Sequence, residues 1–264
     1  MRKAMIRLFV ALLAIVTLSA CQQQGVRDAP PSGEVTGQLG SPMAGPSPAD
    51  VYIDLSGAYM QEGNMTEAFK NAKKAVIVDP KSSNAHYMQA LVYQRLGEAA
   101  EARASFDRAI QLDPRNPVAL NALGSFLCEQ GQFEEADPYF RRALDNPLYN
   151  TPWLASHNAG RCRERAGDIA GAETDYRAAL QVNPRFAPSL LGMARMSYEA
   201  TNYLSARAYL QRYSEVARQT AESLWLGIRT ENQLGDADQM ASYALKLKAR
   251  FPDSEQAQYL KSIE

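Results

Sequence analysis

Residues 91–114, LVYQRLGEAAEARASFDRAIQLDP, read as the end of one helix, a turn and a complete second helix. Gly97 supplies the positive φ that ends the first helix. Ala102, Phe106 and Ala109 then fall at helical spacing on one face, small residues flanking one large one. Asp113-Pro114 closes the second helix, because proline has no N–H to continue the hydrogen-bond ladder. The same arrangement recurs along the chain. Gly63, Gly97, Gly131 and Gly167 are spaced by 34, 34 and 36 residues. Gly235 follows 68 residues later, with Thr201 midway where another glycine would fall. Five residues after each turn stand Ala68, Ala102, Ala136, Ala172, Ala206 and Met240. Asp79-Pro80, Asn183-Pro184 and Phe251-Pro252 repeat the helix stop.

A 34-residue period with small residues at fixed places resembles the tetratricopeptide repeat (TPR). The resemblance implies an all-α TPR solenoid, a right-handed superhelix of about six helix-turn-helix units. The first repeat runs from Ala49 to Pro80, and later ones start near Ser83, Pro117, Trp153, Ala187 and Ala221. A two-residue insertion near Asn146–Thr151 precedes the fourth. The fifth and sixth are looser, with Thr201 for glycine and with Tyr213, Met240 and Leu247 at small positions. Asp253 to Glu264 is expected to be a capping helix, since the last apolar face needs a cover. In TPR arrays the first helix of each pair lines a concave groove. By that resemblance the groove residues are Ile53, Met60, Tyr87 and Leu91 at the apolar end, with Gln94 and Arg95. Asn121, Ser125, Cys128, Glu129, His157, Arg161, Glu164 and Arg165 form a polar middle, and Leu191, Arg195, Tyr198, Trp225, Arg229 and Asn232 the far end. Packing against neighbouring helices is the alternative role for Tyr87 and Leu91.

The start of the chain carries a different signal. Arg2, Lys3 and Arg7 precede an apolar run, Leu8–Leu18, of 11 residues, too short to span a bilayer as a mature helix. Leu18-Ser19-Ala20-Cys21 resembles a bacterial lipobox, which implies cleavage before Cys21 and lipidation of its thiol. Multiple acyl chains anchor far more firmly than one. Gln22, where inner-membrane lipoproteins usually carry Asp, implies the outer membrane. The domains are thus 1–20, a lipoprotein signal peptide; 21–48, a lipidated tether rich in Gln, Gly, Ser and Pro; and 49–264, the repeat domain. A flexible tether of this length reaches on the order of 30 Å.

Composition excludes other classes. Loss of residues 1–20 removes three positive charges and takes the formal charge from −1 to −4, opposite to the basic footprint of a nucleic-acid binder. The two histidines, His86 and His157, have no metal-ligand spacing, and His86 sits at the large-residue position of its helix. No phosphate-cradling glycine motif is present, and the acidic runs read as solvated helix ends. No enzyme, cofactor, metal or small-molecule substrate is expected. Cys128 and Cys162 lie 34 residues apart at repeat positions 12 and 10. Free buried thiols are the first expectation. A disulfide, which needs a Cα separation of about 4.4–6.8 Å, is the alternative.

More specific segments point to one family. Leu120 to Gln130, LNALGSFLCEQ, is similar to the third-repeat signature of the PilF/PilW lipoproteins of type IV pilus biogenesis, and Phe133-Glu134-Glu135-Ala136 continues it. Asn146-Pro147-Leu148-Tyr149, then Asn158-Ala159-Gly160-Arg161-Cys162, resemble that family's extended link and the run after it. Ser223 to Arg229, SLWLGIR, with Ala241-Ser242-Tyr243, resemble its last repeat. Both cysteines fall inside these motifs. The resemblance implies a pilotin, a lipoprotein that binds secretin subunits through its repeats and reaches the membrane through its lipid. A generic envelope TPR scaffold for a cell-wall or secretion complex is the alternative function.

Overall fold

The computed structural model describes residues 47–263. The signal peptide, Cys21 and nearly all of the tether lie outside the described residues. Thirteen helices follow one another, and none of the described residues is in a strand. They are α1 (Pro48–Gln61), α2 (Met65–Val78), α3 (Ser83–Leu96), α4 (Ala99–Leu112), α5 (Pro117–Glu129), α6 (Phe133–Leu144), α7 (Pro152–Arg165), α8 (Ile169–Val182), α9 (Ala187–Glu199), α10 (Tyr203–Val216), α11 (Ala221–Leu234), α12 (Ala237–Arg250) and α13 (Glu255–Ile263). Odd and even helices through α12 form six antiparallel pairs. Each helix packs on its chain neighbours, and the odd-numbered helices also pack on one another two places apart. The all-α solenoid is the fold that the period implied.

The turn glycines act as expected. Gly63, Gly97, Gly131, Gly167 and Gly235 have φ between 74° and 85°. Thr201 takes the same turn at φ 58°, the one non-glycine residue among those described with positive φ. Its N–H still donates to the Tyr198 carbonyl at 2.9 Å, so the turn is kept although its glycine is not. The next residue caps the second helix of each pair. The side chains of Asn64, Asp168, Asn202 and Asp236 accept a backbone N–H there, whereas Glu98 and Gln132 do not.

Small residues set the seam. Ala68, Ala102, Ala136, Ala172 and Ala206 are fully buried, which lets paired helices approach closely. At Gly124 a Cβ would stand 2.8 Å from the Phe140 ring, so α5 and α6 meet only because that residue has none. Phe106, Phe140 and Tyr176 fill the space between pairs. Where the sixth unit breaks the small-residue rule, Leu247 is fully buried against Ala257 and Leu260 of α13. The capping helix therefore covers the last apolar face. The inserted link after α6 is pinned by Tyr149, buried beside Leu120, Ala143 and Ala155, and by Asn146 Nδ2, which donates to the Arg115 carbonyl at 2.8 Å.

Candidate functional site: the faces of the first helices

The predicted groove residues lie on α1, α3, α5, α7, α9 and α11, and their surroundings change along the solenoid. At the first end, Ile53 and Met60 of α1 and Tyr87 and Leu91 of α3 are all half-buried. Met60 packs on the Ala68–Ala72–Val92 cluster, and Tyr87 and Leu91 pack on the cluster around Phe106, Phe126 and Phe140. These four side chains thus support the seams and keep part of their surface open. Burial, with Tyr149 nearby, raises the Tyr87 hydroxyl pKa, so the ring stays neutral. Val51 and Leu55 of α1 are 45% and 41% exposed. Groove positions alone do not include these two; their signal is that α1 opens the first repeat, so among the described residues no earlier repeat packs on it.

The middle is polar and internally paired. Asn158 Nδ2 donates to Asn121 Oδ1 at 3.0 Å, and Ser125 Oγ donates to the Asn121 carbonyl at 3.0 Å. Gln94 Nε2 donates to Glu129 at 2.6 Å across two repeats. Glu164 receives Arg195 through contacts of 2.8–3.0 Å and the Tyr176 hydroxyl at 2.7 Å. Burial and the Glu164 carboxylate raise the Tyr176 pKa. Arg161 and Arg165 are exposed, the latter with its guanidinium 5.8 Å from the centre of the Phe133 ring.

His157 departs from its expected place. It is buried, not open to the groove. Its Nδ1 lies 3.0 Å from Ser189 Oγ, and its ring packs against Tyr176 and Phe186. Burial first, then the charges of Arg161 and Arg195, push its pKa down to about 4. A neutral imidazole held this way is a packing group. His86 is half-buried, with Nε2 3.0 Å from the Pro80 carbonyl, so it ties α3 to the turn before it.

The cysteines also differ from the first expectation. Cys128 of α5 and Cys162 of α7 are joined in a disulfide, their Cα atoms 5.6 Å apart. Opposite flanks of two neighbouring helices meet at a seam, so facing residues need not share a repeat position. Beside the bridge, Arg163 spans Asp137 at 2.7 Å and Asp175 at 2.8 Å, tying α6, α7 and α8 together. Burial raises the Asp175 pKa and Arg163 opposes the shift.

At the far end, a cavity of about 480 Å³ opens between α11, α12 and α13, lined by Trp225, Arg229, Met240 and Leu245 among others. Among the described residues no group of three or more His, Cys, Asp or Glu side chains is placed to hold a metal ion. Nor is any described helix long and apolar enough to cross a membrane. The polar middle is thus paired within itself, and the apolar openings lie at the two ends.

Tetratricopeptide repeat models match residues 49–82, 87–150 and 157–223. The chain is 34% identical over 205 residues to the type IV pilus assembly protein PilF of Pseudomonas aeruginosa, covering 78% of this chain and 81% of that protein. The solved structure from the functional characterisation of Pseudomonas aeruginosa PilF superposes with a TM-score of 0.74 at 33% identity, over 82% of this chain and 97% of that one. The crystal structure of PilW, described as a widely conserved type IV pilus biogenesis factor, superposes with a TM-score of 0.73 at 31% identity, over 80% and 97% of the two chains.

Proposed function

We propose that this chain, which belongs to the PilF/PilW-like family of tetratricopeptide-repeat proteins, is an outer-membrane lipoprotein of type IV pilus biogenesis acting as a pilotin. The supporting observation is the match to PilF over 205 residues and to the PilF and PilW structures over 80–82% of this chain. In this reading the protein is a binding adaptor and not an enzyme. Its partners are secretin subunits, engaged by the repeats, and the membrane, reached through lipid on Cys21. The role requires no nucleic acid, cofactor or small-molecule substrate. Joining a protein-binding surface to an anchor by a tether raises the partner's effective concentration at the bilayer.

The apolar first end is the proposed contact, because Val51 and Leu55 are exposed beside the half-open Ile53, Met60, Tyr87 and Leu91. The polar middle, with Asn121, Ser125, Arg161 and Arg165, continues the surface. Burying one apolar anchor contributes about 1.5–3 kcal/mol, or about 10- to 150-fold in Kd. Tyr87→Ala with Leu91→Ala is therefore expected to weaken secretin binding by that order. Leu55→Glu tests the same surface at an exposed site where the fold is not at risk. Cys21→Ser should still bind secretin but send its multimers to the wrong membrane. Membrane fractionation with blots for heat-resistant multimers reads both effects. Normal outer-membrane multimers and normal pili in a deletion strain would refute the pilotin role and favour a general envelope scaffold.

A further inference from the structure

At the far end of the solenoid α13 packs on both α11 and α12, and a cavity remains between the three helices. The helix α13 has 9 residues, whereas α11, on which it packs, has 14. The cavity has a volume of about 480 Å³. Trp225 of α11, Met240 and Ala244 of α12, and Leu260 of α13 give it an apolar lining. Leu245 on its edge is 70% exposed, and Tyr259, 55% exposed, stacks on Trp225 with ring centres 6.5 Å apart.

Arg229 is what distinguishes this cavity. Its guanidinium lies over the Tyr198 ring, 4.2 Å from the centre, and its Nε is buried without a hydrogen-bond partner. The other half-buried arginines in the repeats, Arg103, Arg163, Arg195 and Arg207, each hold at least one carboxylate. None of the described residues that line the cavity is acidic, and Lys248 is its other cation. A guanidinium pinned by an aromatic face, with N–H groups in a partly dry apolar setting, is organised for a carboxylate brought from outside.

We propose that this cavity is a second binding site, separate from the apolar first end, for a peptide segment that places a bulky apolar side chain and a carboxylate within one helical turn of each other. The apolar side chain enters between Trp225, Met240 and Ala244, and the carboxylate accepts from Arg229. This site does not rest on the pilus role and stands or falls separately from it.

A random 12-residue peptide display library panned on the full chain carrying Cys21→Ser supplies the probe. Enriched peptides should pair Leu, Ile or Phe with Asp or Glu no more than four positions away. The best synthetic peptide should lose about tenfold or more in affinity with Arg229→Met, with Ala244→Trp, which fills the cavity, and with Leu245→Glu at its exposed rim. Replacing the peptide's acid by its amide should weaken binding to the parent chain but hardly change binding to Arg229→Met, which is the coupling of a direct contact. Circular dichroism checks that each variant is folded. The proposal is overturned if no such peptides emerge, if binding ignores all three variants, if the two losses simply add, or if sedimentation shows that a second copy of the chain occupies this face.

Discussion

Thr201 holds the turn between α9 and α10 at φ 58°, a conformation that a β-branched residue adopts at a cost. The left-handed region costs a non-glycine L-residue roughly 1–2 kcal/mol, partly offset because glycine loses more chain entropy on folding. Thr201→Gly is therefore expected to stabilise the protein by about 0.5–1 kcal/mol, seen as a Tm rise of about 1–3 °C. Thermal unfolding of parent and variant decides this, and an unchanged or lower Tm would show that the turn is unstrained. The missing glycine was visible as a gap in the period. That the backbone keeps the glycine geometry was not, because sequence shows which residue is absent and not whether its neighbours hold the turn. His157 shows the opposite limit. Its repeat position pointed to the groove, but Tyr176 and Phe186 supply aromatic faces and Ser189 a polar partner, so the ring is drawn into the seam.

Between elements, the Cys128–Cys162 bridge joins α5 to α7 beside the cluster of Phe126, Leu127, Phe140 and Ala159. A cross-link closing 34 residues stabilises by roughly 3–4 kcal/mol in the chain-entropy account. Cys128→Ser with Cys162→Ser should lower the unfolding free energy by that order, read as a lower denaturation midpoint, and the parent should show no free thiol among this pair when unfolded without reductant. Equal midpoints, or two reactive thiols, would count against the bridge. The helices themselves were legible, since turn glycines, small seam residues and Asp-Pro or Asn-Pro stops set local φ, close approach and chain termination directly. The bridge was not, because contacts between helices depend on which flanks face each other. The insertion near Asn146–Thr151 also moves the fourth repeat against the third. Tyr149 explains how the chain accommodates it: one buried ring makes the longer link part of the core. The groove was legible as a set of helices, but its side chains were divided between seam and surface by packing that repeat positions do not record. The far cavity was not legible, because it lies between three helices and depends on how they pack and not on any repeat position.

At the scale of the molecule, each helix contacts only its near neighbours along the chain, so stability is distributed as in a one-dimensional stack. Among the described residues, interior units have a repeat on both sides, α1 and α2 have one on one side, and α11 and α12 have only α13 beyond them. The interior also holds the largest apolar cluster, the disulfide and the Arg163 ties to Asp137 and Asp175. By contrast α1 and α2 bury only the small Ala49, Ser56, Ala68, Ala72 and Ala75 with Asn71, where α5 alone buries Leu120, Leu123, Phe126 and Leu127, and Tyr259 of α13 is more than half exposed. Backbone amides should therefore exchange with deuterium first in α13, next in α1 and α2, and last in α5 to α8. A difference of about 3 kcal/mol in opening free energy corresponds to exchange about 150-fold slower in the middle. Substituting both cysteines should reduce that contrast without changing the order, because burial and the ion pairs remain. Hydrogen exchange read by mass spectrometry tests the profile helix by helix. Equal protection from end to end would mean that the array opens as one cooperative unit. Protection greatest at either end would place the stable nucleus outside the bridged repeats.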